Sequence, residues 1–425
     1  LEVLVIEDRE LPVVQFEIRL RGGHLLEDPA KPGVANLLAQ TMTEGTADRT
    51  PEELEQAIDL LGASISVEAD AESFTLSGRT LARNFEATMA LLEEILLEPR
   101  WDEERFELAR QRVQNQLQQR AANPFAVAGD VFRKLTYGDH LLAQNPAGDL
   151  ETIDSITIGD LQTYYASAVV PNAGAFHAAG AVSSDQVVSS LAGIAERWQS
   201  GEVAYPEAPT WDPARAGVYF VDIPGAAQSR LMIGKLALAE TDDDFYPATV
   251  LNFRLGGGGF ASDLMQVLRE GKGYTYGIGS AFTGSEYPGQ FYIASGVRSN
   301  VTLESLELVK DLVERHGPEF DEEDLAVTKG FLIKNNAGAF ESLGDKLGIL
   351  ADMSAYGFDA DYVLQREAIV QEMTIDRIRE LAGAYFDTGD MVWLVVGDAA
   401  TQRDRLEALG LGEVIDVDRS GERLN

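Results

Sequence analysis

The chain is written twice. The segment from Phe74, FTLSGRTLARNFEATMALLEEILLEPRWDEERFELARQ, has a counterpart 217 residues on, from Phe291, FYIASGVRSNVTLESLELVKDLVERHGPEFDEEDLAVTK. Each copy reads as a strand of alternating residues, a turn and an amphipathic helix. An acidic helix start follows in both, WDEE at 101–104 and FDEEDL at 320–325. A repeat spaced by half the chain means two copies of one domain rather than a solenoid, and 425 residues exceed what a single core supports. Between the copies lies SGEVAYPEAPTWDPARAG (200–217). Its prolines, Pro206, Pro209 and Pro213, remove backbone donors and favour extended chain, so it reads as a linker. The expected division is an N-terminal domain over 1–199, the linker over 200–217 and a C-terminal domain over 218–425.

Inside the first copy, ELPVVQFEIRLRGG reads as a strand and PGVANLLAQTMTEG as a short helix with Val34, Leu37, Leu38 and Thr41 on one face. PEELEQAIDLLG is a helix with Pro51 near its start. ASISVEADAESFTLSGRTL is a hairpin, and helices over 84–97 and 103–121 follow. Hairpins beside helices predict an α+β fold: two homologous halves, each a mostly antiparallel sheet packed with helices.

Charge excludes some functions. Lys and Arg number 34 against 70 Asp and Glu, a net charge of −36, which opposes binding to nucleic acid or an anionic membrane. That imbalance fits either an acidic, salt-adapted surface or an acidic chamber for basic peptides. No apolar run is long enough to span a membrane. The absence of cysteine rules out disulfides and thiolate zinc sites. The four histidines, His24, His140, His177 and His316, have no metal-ligand spacing and read as surface or internally satisfied side chains. There is no G-x-S-x-G elbow for a serine nucleophile. The glycine run in RLGGGGFASDL (254–264) lacks the Lys-Ser/Thr of a phosphate loop and reads as a flexible loop entering a helix.

ELPVVQFEIRLRGGHLLEDPAKPGVANLLAQTMTEGT runs strand, glycine turn, acidic residue and helix, and NPFAVAGDVFRKLTYGDHLLAQNPAGDLETIDSITIGDLQTYYASAVVPNAGAFHAAGAV (123–182) continues collinearly. In this order the chain resembles, over nearly its whole length, the pitrilysin/insulinase family of inverted-motif zinc peptidases in its short, processing-peptidase-like form. Active members carry H-x-x-E-H on the first helix: two histidines bind zinc and the glutamate is the general base. The matching residues here are Asn36, Ala39 and Gln40. The family's third ligand, a later glutamate, falls near Asn115 or Gln116, and no acid lies between Gln111 and Ala121. Amides are poor zinc ligands beside imidazole, and alanine accepts no proton, so the motif is degenerate and no metal is expected in this chain.

ASDLMQVLREGKGYTYGIGSAFTG (261–284) resembles the family's C-terminal block. There an Arg and a Tyr seven residues apart reach the substrate at the zinc site; the resemblance carries these roles to Arg269 and Tyr276. Arg is a fixed fork of donors for a substrate carbonyl, and a Tyr hydroxyl can donate to an oxyanion. The bland alternative is that Arg269 caps its helix and Tyr276 packs in the sheet; Tyr274 is a competing tyrosine. Relatives have Ser-Arg-Leu where this chain has Ser262-Asp263-Leu264, which removes a basic contact.

The resemblance implies a non-catalytic, substrate-binding subunit of a heterodimeric zinc endopeptidase acting on unfolded peptides. Zinc would sit in an H-x-x-E-H partner of the same family, with Arg269 and Tyr276 acting in trans and this chain inactive alone. The resemblance leaves a homodimer open where no such partner exists. The alternatives are a scaffold subunit and a stand-alone peptide-binding protein. Many bacterial relatives are exported, and the missing initiator Met fits a removed leader, so the expected compartment is the periplasm.

Overall fold

A computed structural model describes residues 1–424. It contains two sheets. The first is built from β1 (Glu2–Glu7), β2 (Val13–Arg21), β3 (Ser64–Ala69), β4 (Ser73–Leu81) and β5 (Gly174–Gly180), in the order β1-β5-β2-β4-β3. The second is built from β6 (Gly217–Asp222), β7 (Gln228–Leu236), β8 (Thr275–Phe282), β9 (Gln290–Arg298), β10 (Val392–Gly397) and β11 (Val414–Val417), in the order β11-β6-β10-β7-β9-β8. Without the added β11 the two orders are identical, strand for strand. In each sheet the first and last strands of the repeat, β1 with β5 and β6 with β10, pair in parallel. The neighbours that carry the hairpins are antiparallel. The duplication is therefore one of topology, as the α+β reading requires.

Alternation along the strands makes two faces. On β2, Val14, Phe16, Ile18 and Leu20 are fully buried and face a core shared with β4, β5 and helices Val34–Met42 and Phe85–Leu97. Phe16 stacks on Phe176 of β5 at 6.2 Å. The second sheet repeats the arrangement with Leu231, Ile233, Phe291, Ile293 and Trp393 in its core.

The compact units do not follow a single cut of the chain. One comprises Leu1–Gln119, Gln144–Glu207 and Ala337–Asp359; the other comprises Arg120–Ala143, Ala208–Asn336 and Ala360–Asn425. Each half of the sequence thus lends one helical segment to the other half's sheet. Helix Leu343–Tyr356 packs on β5, β2 and β1, and helix Pro124–Tyr137 packs on β7 and β10. Both cover the sheet face opposite the main core, which an amphipathic pattern cannot reveal, because it shows that a helix has an apolar side but not which sheet that side meets. The one main-chain change of unit near the expected linker falls between Glu207 and Ala208. Among the described residues, no helix is long and apolar enough to cross a membrane.

Candidate functional site

The degenerate zinc motif lies on helix Val34–Met42, whose N-terminus is held by a buried acid. Glu27 accepts hydrogen bonds from the backbone N–H of Gly33 at 2.9 Å and of Ala35 at 2.5 Å, and contacts His24 Nδ1 at 2.5 Å. A carboxylate on the free N–H groups of a helix start is favourable electrostatically as well as through its hydrogen bonds. Glu27 and His24 are both buried, and Tyr164 donates to the Gly23 carbonyl beside them at 2.8 Å. The turn that would aim a zinc helix is therefore intact.

The residues on that helix do not fit zinc. Gln40 Nε2 donates to Asn36 Oδ1 at 3.4 Å, and Asn36 Nδ2 donates to the Ala147 carbonyl at 3.4 Å. The two amides one turn apart engage each other in a long hydrogen bond. Ala39 is buried and offers only a methyl group. Gln116 is exposed on helix Glu103–Ala121, as is Asn115. Neutral amides and a methyl group supply neither the imidazole ligands nor the general base that metal-assisted hydrolysis needs. Among the described residues, no three His, Asp or Glu side chains gather as a metal site.

The histidines are engaged elsewhere. His177 is completely buried between Glu17 Oε1, 2.9 Å from Nδ1, and Ser354 Oγ, 2.7 Å from Nε2. His316 Nε2 lies 3.0 Å from the Leu251 carbonyl, to which it donates, and burial pulls its pKa down to about 4, so it is neutral. His140 Nδ1 accepts from the Leu142 backbone N–H at 3.1 Å.

The C-terminal block is more distinctive. Met265–Gly271 winds as a wide π-type helix, with Lys272 N–H donating to the Val267 carbonyl at 3.0 Å, and it carries Arg269 in its last turn. Such windings are rare and are found frequently at functional sites. Arg269 lies over the exposed Phe260 ring at 4.6 Å and pairs with neighbouring Glu270 at 3.1 Å. That surface pair is worth about 0–1 kcal/mol, so the guanidinium can change partner at little cost.

Tyr276 follows on β8, where the register with β9 slips by one residue between Thr275 and Ile278. The bulge is pinned from below. Gly277 N–H donates to Thr275 Oγ1 at 3.0 Å, and Ser295 Oγ sits 3.0 Å from both Thr275 Oγ1 and the Gly277 carbonyl. Thr275 and Ile278 are buried while Tyr276, between them, is 91% exposed. A bulge re-aims a side chain that strict alternation would place otherwise, and this one takes Tyr276 out of the sheet's packing altogether. Tyr274 lies before the strand begins and is half-buried.

Two other sequence features resolve structurally. The glycine run continues the helical path rather than forming a loose loop: a Cβ on Gly256 would stand 2.2 Å from Ser280 Oγ and 2.6 Å from Ser280 N. Glycine is needed there because β8 passes so close. Asp263, in place of a basic residue, pairs with Arg254 at 2.9 Å, and Arg254 also reaches Asp324 at 2.9 Å. The positive charge of this corner is carried by Arg254. Burial raises the Asp263 pKa, opposed by Arg254.

Comparison with known proteins agrees with this geometry. Residues 2–146 match the insulinase (peptidase family M16) model, and residues 155–331 match the peptidase M16 inactive domain model. The non-peptidase homolog YmxG of Helicobacter pylori is 23% identical, over 93% of this chain and 91% of its own length. An uncharacterized zinc protease of Streptomyces coelicolor is 26% identical, over 76% of this chain and 73% of its own. The crystal structure of a peptidase M16 inactive domain from Pseudomonas fluorescens superposes with a TM-score of 0.86 at 25% identity, covering 94% of this chain and 96% of that one. A Helicobacter pylori protease superposes with a TM-score of 0.83 at 19% identity, over 92% and 96%, which speaks for the fold. With both family models in register along it and amides and alanine where the zinc motif stands, the chain belongs to the insulinase family of peptidases, M16, and matches its inactive branch.

Proposed function

We propose that this chain is the non-catalytic, substrate-binding subunit of a heterodimeric zinc endopeptidase acting on unfolded peptides. The partner, of the same family, carries H-x-x-E-H and the zinc; this chain supplies Arg269 and Tyr276 to the partner's site. The observation that carries the reading is the bulge at Tyr276. A tyrosine hydroxyl with no hydrogen-bond partner among the described residues, lifted out of an edge strand by a pinned bulge, is built to meet something outside the chain. A scaffold subunit gains nothing from it.

Mixing the purified chain with an H-x-x-E-H subunit tests this. Peptidase activity should appear that neither shows alone. Tyr276→Phe should leave assembly intact and lower kcat about 10²–10³-fold, the usual cost of one oxyanion donor. Arg269→Ala should raise KM as well, because an arginine contact persists in the ground state. Tyr274→Phe should be nearly silent. If neither tyrosine matters to turnover in an assembled pair, the chain is a scaffold.

A further inference from the structure

We infer that Arg230 heads a carboxylate-binding pocket on the second sheet, which takes the carboxylate of an extended peptide lying beside Tyr276. This deepens the peptide-binding role proposed above and rests on it. A cavity of about 330 Å³ opens where β7, β8 and β9 meet the first turn of helix Pro124–Tyr137. Its walls include Phe125, Met232 and Ala294, with Arg230 and Tyr276 among its polar groups. That volume is at the small end for ligand sites and suits one or two residues of a peptide.

Arg230 is placed for a ligand rather than for the protein. It makes no ion pair with a carboxylate of the described residues, although Asp and Glu outnumber Lys and Arg twofold in this chain. The Phe125 ring lies beneath the guanidinium. Burial alone pulls its pKa below the ordinary arginine value, with no neighbouring acid to offset it. A guanidinium stacked on an aromatic face keeps its fork of N–H donors directed sideways, where a carboxylate can engage two of them.

Two residues make this arrangement, and neither has another evident task. Gly296 stands directly across from Arg230 in the β7–β9 register, and a Cβ there would come within 1.7 Å of Arg230 Nη1. Glycine is what admits the guanidinium. Phe125 belongs to the Asn-Pro-Phe sequence that opens the covering helix, where Asn123 Oδ1 accepts from the Phe125 N–H at 3.0 Å and holds the ring at the helix start. The ring remains largely exposed. The equivalent position of the first sheet, by register, is Gln15.

The cavity also borders β8, the edge strand of its sheet. An edge offers unpaired backbone groups to which an extended peptide can add. Gly277, beside Tyr276 in the bulge, has open space where a side chain would be. A peptide that crosses from this edge over the face of β9 would place a carboxylate on Arg230 and an apolar group against Met232 and Ala294. The carboxylate could be the peptide's C-terminus or an Asp or Glu side chain.

The test is direct binding to the full chain without a partner, read by fluorescence anisotropy. The probes are an Ala-Leu-Ala-Ser-Ala-Leu peptide carrying an uncharged BODIPY label at its N-terminus as free acid, the same peptide as C-terminal amide, and the amide with Asp in place of Ser. The wild type should bind at least one carboxylate probe about tenfold or more tighter than the uncharged amide. Preference for the free acid assigns a C-terminal pocket; preference for the Asp probe assigns an acidic side-chain pocket. Arg230→Gln should abolish the discrimination while the melting temperature stays within a few degrees, and Arg230→Lys should retain part of it. Gly296→Ala, which displaces the guanidinium without removing it, should weaken discrimination too. Equal binding of all three probes by wild type, no binding of any, or undiminished discrimination in a folded Arg230→Gln protein overturns the inference. Because no partner or turnover is involved, these outcomes are independent of what Tyr276→Phe does in a reconstituted peptidase.

Discussion

The two sheets share one topology, yet the faces under their exchanged helices differ in chemistry at the same register position. In the first sheet Glu17 of β2 lies opposite His177 of β5; in the second, Met232 of β7 lies opposite Leu394 of β10. Under helix Leu343–Tyr356 the contact is polar, with Ser354 closing on His177 and Lys346 pairing with Asp8. Under helix Pro124–Tyr137 it is a dry cluster of Val131, Phe132, Tyr219, Val392, Leu394 and Val396. A duplicated fold thus holds two equivalent helices by different forces. The apolar face draws on area removed from water and tolerates imprecise contact; the polar face gains little net energy but fixes one geometry, because every buried partner must be met.

Substitutions can separate the two modes. The largest effect should come from the apolar face: Phe132→Ala, with its ring fully buried, should cost about 3–5 kcal/mol in denaturant unfolding. A cost under 1 kcal/mol would mean that this helix is not held by packing. His177→Leu should cost about 3 kcal/mol, because it strands the Glu17 carboxylate under the helix. Adding Glu17→Met makes the first sheet resemble the second and should restore most of the loss, since apolar replacement of a buried polar pair is often neutral. If the double variant is no more stable than His177→Leu alone, the two faces are not interchangeable. The smallest effect concerns Lys346→Met and shows in pH dependence. The Lys346 hydrogen bond, with the Glu10 N–H, holds the Asp8 carboxyl below its ordinary value. A depressed folded-state pKa stabilises above the unfolded value of about 3.9 and is lost as pH falls through the folded one. The stability gap between wild type and Lys346→Met should therefore be constant above about pH 5 and close in more acidic solution. A gap that persists unchanged at pH 2 would show that the lysine acts through packing.

Much of this molecule was legible in its sequence, for identifiable reasons. Helices 103–121 and 84–97 match Glu103–Ala121 and Phe85–Leu97 almost residue for residue, because acidic starts and continuous amphipathic periods mark both. The duplication was visible because Phe74 and Phe291 occupy equivalent places on β4 and β9. The exchange of helices was hidden, since nothing local in NPFAVAGDVFRKLTY says that its apolar side meets a sheet made mostly of later residues. At the candidate site, Asn36, Ala39 and Gln40 spoke for themselves, whereas the exposure of Tyr276 did not. TYGIGS alternates like any strand, and the bulge is held by hydroxyls of Thr275 and of Ser295, which lies on the neighbouring strand. Arg230 carries no local mark inside QSRLMIG. The signal that could have found it was Gly296, a glycine in mid-strand facing an arginine, which is legible only once the register is known.

The helix exchange has a consequence for the order in which the protein can be made. The cover of the second sheet, residues 124–137, leaves the ribosome before any strand of that sheet, so the valines and leucines of the sheet meet a waiting partner. The first sheet is complete at residue 180, but its cover ends at Tyr356. At about 5–20 residues per second that outer face stays bare for about 10–35 s. It is the face that carries Gln15, Glu17, Arg19 and His177, side chains that water can hold without harm in the meantime. The sheet that must wait is the one dressed for waiting.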